Sequence, residues 1–195
     1  MTLRHLAAAL LLTLSAPAAR AQTRGEHDLA VGLRYSATRA QTLSGDCCFY
    51  LQGGAADVAL PVLPHASAVV EVGGGTVSRV VGTNRGLSTI TLFAGPRYTQ
   101  PLGSRFSFSA HALFGAARGF DADFSSAGRA SDTATAFGMA LGGSAAYSLS
   151  RSLSLRVAQV DYLQTNLPNG ADNRQRNLRL GAGIVFIIPL PQSRR

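Results

Sequence analysis

The sequence predicts an all-β fold, an eight-stranded antiparallel up-and-down transmembrane β-barrel. Eight segments alternate apolar residues with small or polar ones at period two, the pattern of strands with two different faces. The connections between these segments are alternately short and long, as in outer-membrane barrels. The third observation is an N-terminal secretory signal that is followed by no apolar run long enough for a membrane-spanning helix.

Residues 1–21 have the pattern of a secretory signal peptide. A basic start precedes a mostly apolar run at residues 6–14, and small residues suit a cut after Ala21. The mature domain would then cover residues 22–195, with its strands within about 27–188. Only 14% of the residues are charged, which suits an outer surface that meets lipid better than one that meets water.

The clearest strand covers residues 104–116. Phe106, Phe108 and Phe114 share one face, whereas the other face is polar and includes His111. The other predicted strands cover residues 29–36, 50–62, 66–74, 87–99, 136–147, 152–163 and 178–188. A soluble, lipocalin-like barrel would bury the apolar faces around a ligand. The signal peptide, the connection pattern and the absence of lysine favour a membrane barrel whose apolar faces meet lipid.

The predicted connections fall into two classes. Those after the second, fourth and sixth strands are short turns, and the others are long polar segments, the longest being residues 118–135. Long loops outside and short turns in the periplasm are the asymmetry of outer-membrane barrels. Pro96 falls within the fourth strand, and because proline lacks an N–H we expect it near the membrane boundary or at a bulge.

Turning the apolar faces to lipid assigns most strand charges to the lumen. These charges are Arg34, Asp57, Glu71, Arg97, Arg105, His111, Arg156 and Arg179. An arginine facing lipid at the bilayer midplane costs about 2–4 kcal/mol, so a membrane barrel requires this sorting. Strict alternation places Ala158 and Val160 in the lumen and makes Asp161 the exception, near the end of the seventh strand, where we expect contact with water or a bulge.

Four of these residues are predicted to form an ion-pair cluster in the lumen. Arg34, Asp57 and Glu71 lie on neighbouring strands, and Arg156 would reach them from across the barrel. Eight strands leave an interior just wide enough for side chains, and buried charges require partners. We therefore interpret the cluster as a structural plug, with a substrate site as the alternative, and expect no open pore.

Charge and cysteine content limit the partners. All 18 basic residues are arginine, and the net charge of +8 falls to +6 (8 − 2) if Arg4 and Arg20 leave with the signal peptide. These arginines are scattered, and an exported protein does not meet DNA, so no nucleic-acid partner is expected. Outer-membrane lipids and anionic lipopolysaccharide are the expected partners. The adjacent Cys47 and Cys48 are predicted to be a minor feature of a polar loop.

The sequence offers little that suggests catalysis. Ser109 and His111 share a face, as a serine and histidine would in a lipid A-modifying enzyme, but that face is predicted to be lumenal. The glycines at residues 73–75 lack the Lys-Ser/Thr of a phosphate loop. No zinc or calcium ligand spacing occurs, and no cofactor is expected.

The strand pattern and two segments, F-A-G-P-R-Y at residues 93–98 and L-R-L-G-A-G-I-V-F at 178–186, resemble the OmpA-like outer-membrane β-barrel family over nearly all of residues 27–188. The resemblance implies a small barrel in the cell outer membrane, inserted by the barrel-assembly machinery, which reads a C-terminal strand ending in an aromatic residue. Here Phe186 is followed by two isoleucines and a seven-residue tail. No peptidoglycan-binding domain is expected after the barrel.

These observations predict a monomeric outer-membrane protein with a structural or surface-interaction role and no catalysis. The alternative is a narrow channel or lipid-binding barrel that uses the arginine-rich lumen, and a lipid A-modifying enzyme is the least favoured reading. Conductance in planar bilayers separates the first two classes.

Overall fold

All eight predicted strands are present in the computed structural model, which describes residues 28–40, 48–80, 85–126, 129–168 and 173–190. They are β1 (Leu29–Ala40), β2 (Phe49–Leu63), β3 (Ala66–Val77), β4 (Leu87–Leu102), β5 (Phe106–Ser126), β6 (Arg129–Ser148), β7 (Leu153–Thr165) and β8 (Gln175–Ile188). The strands form one closed antiparallel barrel in sequence order, so the predicted fold is confirmed. The predicted signal peptide and Cys47 lie outside the described residues.

The barrel closes through pairing of its first and last strands. Their register runs from Leu29↔Ile188 to Arg39↔Leu178, so neither strand is an edge. Closure pairs the backbone groups of every strand within the sheet, which the hydrocarbon interior of a bilayer demands. Within the described part of the chain, no helix is long and apolar enough to cross a membrane.

The three turns that were predicted to be short, after β2, β4 and β6, lie at one end of the barrel. The β2–β3 turn holds His65 at a φ of 63°, and the β4–β5 turn holds Gly103 at 69°. A Cβ on Gly103 would meet nothing within 4 Å, so glycine is there for its backbone conformation rather than for space. We take this end as the periplasmic one and the opposite end as the outer one.

The predicted long loop at residues 118–135 is instead an extension of the β5–β6 hairpin, so that prediction was wrong. Pairing continues from Arg118↔Thr135 to Ser126↔Arg129, with a register shift between Phe120 and Phe124. The segment is rich in Gly, Ala, Ser and Asp, so its sequence carries no clear alternation. Its strands form because each pairs with the other, which is not visible in the sequence of either one.

The outer face of the barrel is apolar, and the lumen holds both apolar and charged side chains. Val70 and Phe108 point outward, each 51% exposed, whereas the adjacent Val69 is 1% exposed in the lumen. Phe93 and Leu113, both 0% exposed, form the centre of an apolar cluster in the lumen. This alternation of neighbouring side chains between the lumen and the outer surface is the predicted one, with the apolar face toward lipid.

Pro96 lies within β4 and has no bulge, which was one of the two alternatives expected for it. The β4–β5 register is unchanged on either side of it, from Ala94↔Phe114 to Arg97↔His111. The two pairings between these points are missing. The missing proline N–H is therefore accommodated by a local gap in the ladder rather than by an inserted residue.

Candidate functional site

The lumen is crossed by a network of buried ion pairs. Arg34 on β1 donates from Nη1 to Glu71 Oε2 on β3 at 2.8 Å. Arg156 on β7 donates from Nη1 and Nη2 to the two oxygens of Asp57 on β2, at 2.6 and 3.1 Å. Arg34 Nη1 also lies 3.7 Å from Asp57 Oδ1, which joins the two pairs. The structure thus brings together the four residues of the predicted cluster, all of them buried.

Two further arginines share the same carboxylates. Arg97 on β4 donates from Nη1 to Asp57 Oδ2 at 3.0 Å. Arg179 on β8 donates from Nη2 to Glu71 Oε1 at 2.8 Å and from Nε to Asp161 Oδ2 at 2.8 Å. Asp57 and Glu71 therefore each accept hydrogen bonds from two guanidinium groups, which offsets the cost of burying the charges.

Asp161 collects the remaining polar groups of the network. His111 Nε2 lies 2.9 Å from Asp161 Oδ1, and Gln159 donates from Nε2 to both carboxylate oxygens at 3.1 and 3.0 Å. We name the whole set the lumenal cluster: Arg34, Asp57, Glu71, Arg97, His111, Arg156, Gln159, Asp161 and Arg179. Seven of the eight strands contribute to it. With His111 neutral, four arginines and three carboxylates leave a formal charge of +1 (4 − 3).

A β-bulge in β7 brings Asp161 into the lumen. Arg156 pairs with Gly183 and Gln159 with Gly181, so three steps on β7 face two on β8. The extra residue reverses the inward–outward alternation for the rest of the strand, and Asp161 is 1% exposed.

The bulge overturns two sequence-based assignments and accounts for a third residue. Val157 and Ala158 are consecutive and both exposed, which marks the reversal. Ala158 and Val160 were predicted in the lumen but point outward. For Asp161, the exception to the alternation, a bulge was one of the two expectations, and the bulge turns it inward. Gln159 was not predicted as a site residue. The signal in the sequence was the carboxylate of Asp161 at a position that strict alternation turns toward lipid. A β-bulge costs less free energy than a carboxylate that faces lipid.

Arg105 is the other lumenal assignment that was wrong. It lies in the turn between β4 and β5, is exposed, and donates from Nη1 to the Tyr147 hydroxyl at 2.9 Å. Its guanidinium lies 6.0 Å from the Tyr147 ring centroid. Because β5 begins only at Phe106, Arg105 lies outside the membrane-spanning strand. Its position beside an aromatic ring at the periplasmic end suits an anchor at the membrane interface.

Glycines on the lumenal face make room for these charged groups. A Cβ on Gly32 would lie 2.6 Å from Asp57 Oδ1 and 2.8 Å from Arg156 Nη2. On β6, the one strand without a cluster member, a Cβ on Gly142 would collide with Asp161 Oδ1. At these two positions, glycine leaves the volume that the carboxylates of the cluster occupy.

Ser109 and His111 do not form a catalytic pair in the described contacts. The Ser109 hydroxyl is 2.9 Å from Thr99 Oγ1, and His111 is directed to Asp161. A serine nucleophile needs a base within hydrogen-bond reach, and here each group bonds to a different partner. The arrangement fills and crosslinks the lumen rather than preparing a nucleophile.

A closed eight-stranded barrel with an apolar outer face and a paired charge network inside defines an integral membrane β-barrel protein. The family model described as "Outer membrane protein beta-barrel domain" matches residues 6–186. The chain belongs to this family and is a protein of the outer membrane, as its resemblance to OmpA-like barrels implied.

Solved outer-membrane barrels share this fold at low identity. Neisserial surface protein A (NspA) is 16% identical, with 81% of this chain and 96% of that one covered and a TM-score of 0.64. Ail, the attachment invasion locus protein of Yersinia pestis, is 17% identical, with 82% and 99% covered and a TM-score of 0.53. OprG from Pseudomonas aeruginosa is 10% identical, with 84% and 97% covered and a TM-score of 0.51. No curated protein matches the sequence.

Proposed function

We propose that this protein is a monomeric barrel with a closed lumen, and that it acts structurally and through its outer surface rather than as a pore or an enzyme. The observation that carries the proposal is the lumenal cluster, in which charged side chains from six strands meet in mutual ion pairs. Opening a path for ions would require these pairs to separate, leaving buried charges without partners.

The outer surface is dominated by the β5–β6 hairpin. Its strands are 21 and 20 residues long, whereas the other strands have 12–16. About 9–11 residues suffice to cross a bilayer, so about ten in each strand extend beyond it, roughly 30 Å along the strand. A paired hairpin is ordered before it meets a partner, which reduces the entropy lost on contact. This supports a role for the hairpin in surface contact.

One structurally similar protein was solved with a bound ligand. Ail was solved in complex with the heparin analogue sucrose octasulfate, and its name refers to attachment. For this chain, the corresponding experiment replaces the hairpin between Arg118 and Thr135 with a two-residue Asn-Gly turn, which preserves their pairing. Cells displaying the full barrel are expected to adhere to host-cell surfaces better than cells displaying the trimmed one. If the two kinds of cell adhere equally while displaying equal amounts of barrel, the hairpin has no role in contact.

Lipopolysaccharide is the second proposed partner. Arg118 lies where β5 passes the outer end of β4, and Arg176 lies at the outer end of β8. Both are exposed, on the parity of the lipid-facing residues. Phosphate groups in the outer leaflet would pair with them. Replacing both by glutamine is expected to reduce the gain in thermal stability on adding lipopolysaccharide. Arg151→Gln, exposed in the β6–β7 turn, is the matched control and is expected to leave that gain unchanged.

Insertion by the barrel-assembly machinery is proposed for the C-terminal strand. Phe186 is 42% exposed on the outward face of β8, and Ile188 is 46% exposed on the same face. Both are available to a recognition surface before the barrel closes. Phe186→Ala is expected to lower the amount of folded barrel in cells, with Phe108→Ala as the matched outward control. If both variants lower the amount of folded barrel equally, Phe186 contributes only to packing and not to recognition by the machinery.

Single-channel recording tests the closed lumen and its alternative, a narrow channel. The native barrel in planar bilayers is expected to show no discrete openings. Asp57→Ala/Glu71→Ala removes two carboxylates of the cluster and is expected to change the conductance or lower the thermal stability. Regular openings of the native barrel would favour the channel. A double variant with native stability and native conductance would contradict the plug.

Catalysis is tested separately with purified lipid A. The proposal expects no deacylation, because the Ser109 hydroxyl and the His111 ring bond to different groups. Cleavage by the native protein that is lost in His111→Ala would overturn this part of the proposal.

A further inference from the structure

A cavity lies in the lumen on the outer side of the lumenal cluster. Its volume is about 80 Å³, and its wall continues along β1 beyond Arg34, through Ser36, Thr38 and Ala40. Arg179 of the cluster belongs to the same lining and lies at the inner end of the cavity. A water needs about 10–15 Å³ of such space, so the cavity accommodates a solute of about five to eight non-hydrogen atoms.

Among the described residues that line the cavity, the only formal charge is positive. Arg179 is the single ionisable residue among them. Its Nε and Nη2 are directed to Asp161 and Glu71, and among the described residues its Nη1 makes no hydrogen bond. The cluster behind it has one more arginine than it has carboxylates. One bound anion would bring this region to formal neutrality.

A buried hydroxyl on the lining has no partner. Thr91 on β4 is 5% exposed, and its Oγ1 makes no hydrogen bond to any described group. Burying an unsatisfied hydroxyl costs about 1–3 kcal/mol. A ligand that accepts a hydrogen bond from this hydroxyl would remove that cost. Ser36 and Asn177 supply further polar groups on the same lining.

Apolar side chains form the outer part of the lining. Phe49 and Leu51 on β2 are 8% and 5% exposed and pack with Leu87 at the start of β4. A site with one cation, a few hydroxyls and an apolar wall favours a ligand with an anionic head group and a short hydrocarbon chain.

We propose that this cavity binds a short-chain monocarboxylate of about six non-hydrogen atoms, with its carboxylate at Arg179 and Thr91 and its alkyl chain against Phe49, Leu51 and Leu87. The site goes beyond the proposed surface role and requires no passage through the barrel. A blind outer cavity with the cluster at its inner end holds a solute without conducting it.

Ligand-observed NMR titration of the full barrel in nanodiscs tests the proposal. Butyrate, 1-butanol and butylammonium have the same short alkyl body and differ in the charge of the head group. Butyrate is expected to bind saturably, butanol at least about fivefold more weakly, and butylammonium not at all, since a cation would face Arg179. Absence of saturable butyrate binding, or equal binding of butyrate and butylammonium, would overturn the proposal.

Thr91→Val removes the unpartnered hydroxyl at nearly constant volume. It is expected to raise the Kd for butyrate at least about fivefold, as loss of a hydrogen bond to a charged group does. Thr135→Val, on the exposed face of β6, is the matched control and is expected to leave the Kd unchanged. Thr91→Ala removes the same hydroxyl and serves in case Thr91→Val does not fold, with folding checked by heat-modifiable gel migration. Native affinity in the folded Thr91 variant would contradict the site.

Discussion

Arg156 and Asp57 form a two-point ion pair across the lumen, with Nη1–Oδ1 at 2.6 Å and Nη2–Oδ2 at 3.1 Å, although 99 residues separate them in the chain. The pair ties β7 to β2, two strands that are not neighbours in the barrel. Two parallel hydrogen bonds hold the guanidinium and carboxylate planes in one orientation. The lumen is therefore crosslinked as well as filled.

Removing the Asp57 charge is expected to destabilise the barrel strongly. Asp57→Asn leaves Arg97 and Arg156 buried without their carboxylate, and breaking a buried pair in this way costs about 3–5 kcal/mol. The chain has no tryptophan, so urea unfolding is followed by far-UV circular dichroism and by the heat-modifiable gel shift. Asp132→Asn is the control, because Asp132 is exposed on β6. The interpretation fails if both variants unfold at the native urea concentration.

The outward position of Val70 is tested by an arginine. Val70 neighbours Glu71 in sequence but is 51% exposed on the lipid side. Val70→Arg is expected to cost about 2–4 kcal/mol if the residue lies near the bilayer midplane. Leu102→Arg, at the periplasmic end of β4, is expected to cost at most about 1 kcal/mol. Unfolding in lipid vesicles measures both, and equal costs would contradict the assigned depth.

Deletion of Ala158 tests the bulge in β7. Without the extra residue, strict alternation keeps Arg156, Gln159 and Asp161 in the lumen, and Val157 faces Ala182 in a regular ladder with β8. We therefore expect deletion of Ala158 to preserve the heat-modifiable folded band. Deletion of Val160, the outward residue between Gln159 and Asp161, is expected to abolish that band, because it turns Asp161 toward lipid or shifts the pairing with β8 by one residue. A folded barrel with native urea resistance after deletion of Val160, or loss of folding after deletion of Ala158, would contradict the assigned faces of β7.

The apolar part of the lumen is tested at Phe93. Phe93 is 0% exposed, and a Cβ on Gly138 of β6 would lie 2.9 Å from its Cε1. Phe93→Ala is expected to cost about 3–5 kcal/mol, because the cavity it leaves is enclosed by strands that cannot collapse. Phe108→Ala, 51% exposed to lipid, is expected to cost less, since lipid fills the vacated space. Far-UV circular dichroism during urea unfolding compares the two.

The sequence by itself determined the strands, their faces and the barrel. Period-two alternation is a property of each strand alone, so Val70 and Phe108 could be assigned to lipid and Asp57 and Glu71 to the lumen. The same alternation placed Arg34 and Arg156 inside. Their mutual contact was predicted from the need of buried charges for partners, which is a physical requirement rather than a pattern.

Only the tertiary structure decided how those faces continue and which charges meet. The bulge that turns Asp161 inward arises from pairing between β7 and β8, and the β5–β6 extension arises from pairing between two segments of weak strand pattern. Arg179 reaches both Glu71 and Asp161 because barrel closure places β8 beside β1. Alternation within a strand is a local property, whereas register and contact across a lumen depend on residues far apart in the chain, so the sequence alone could not specify them.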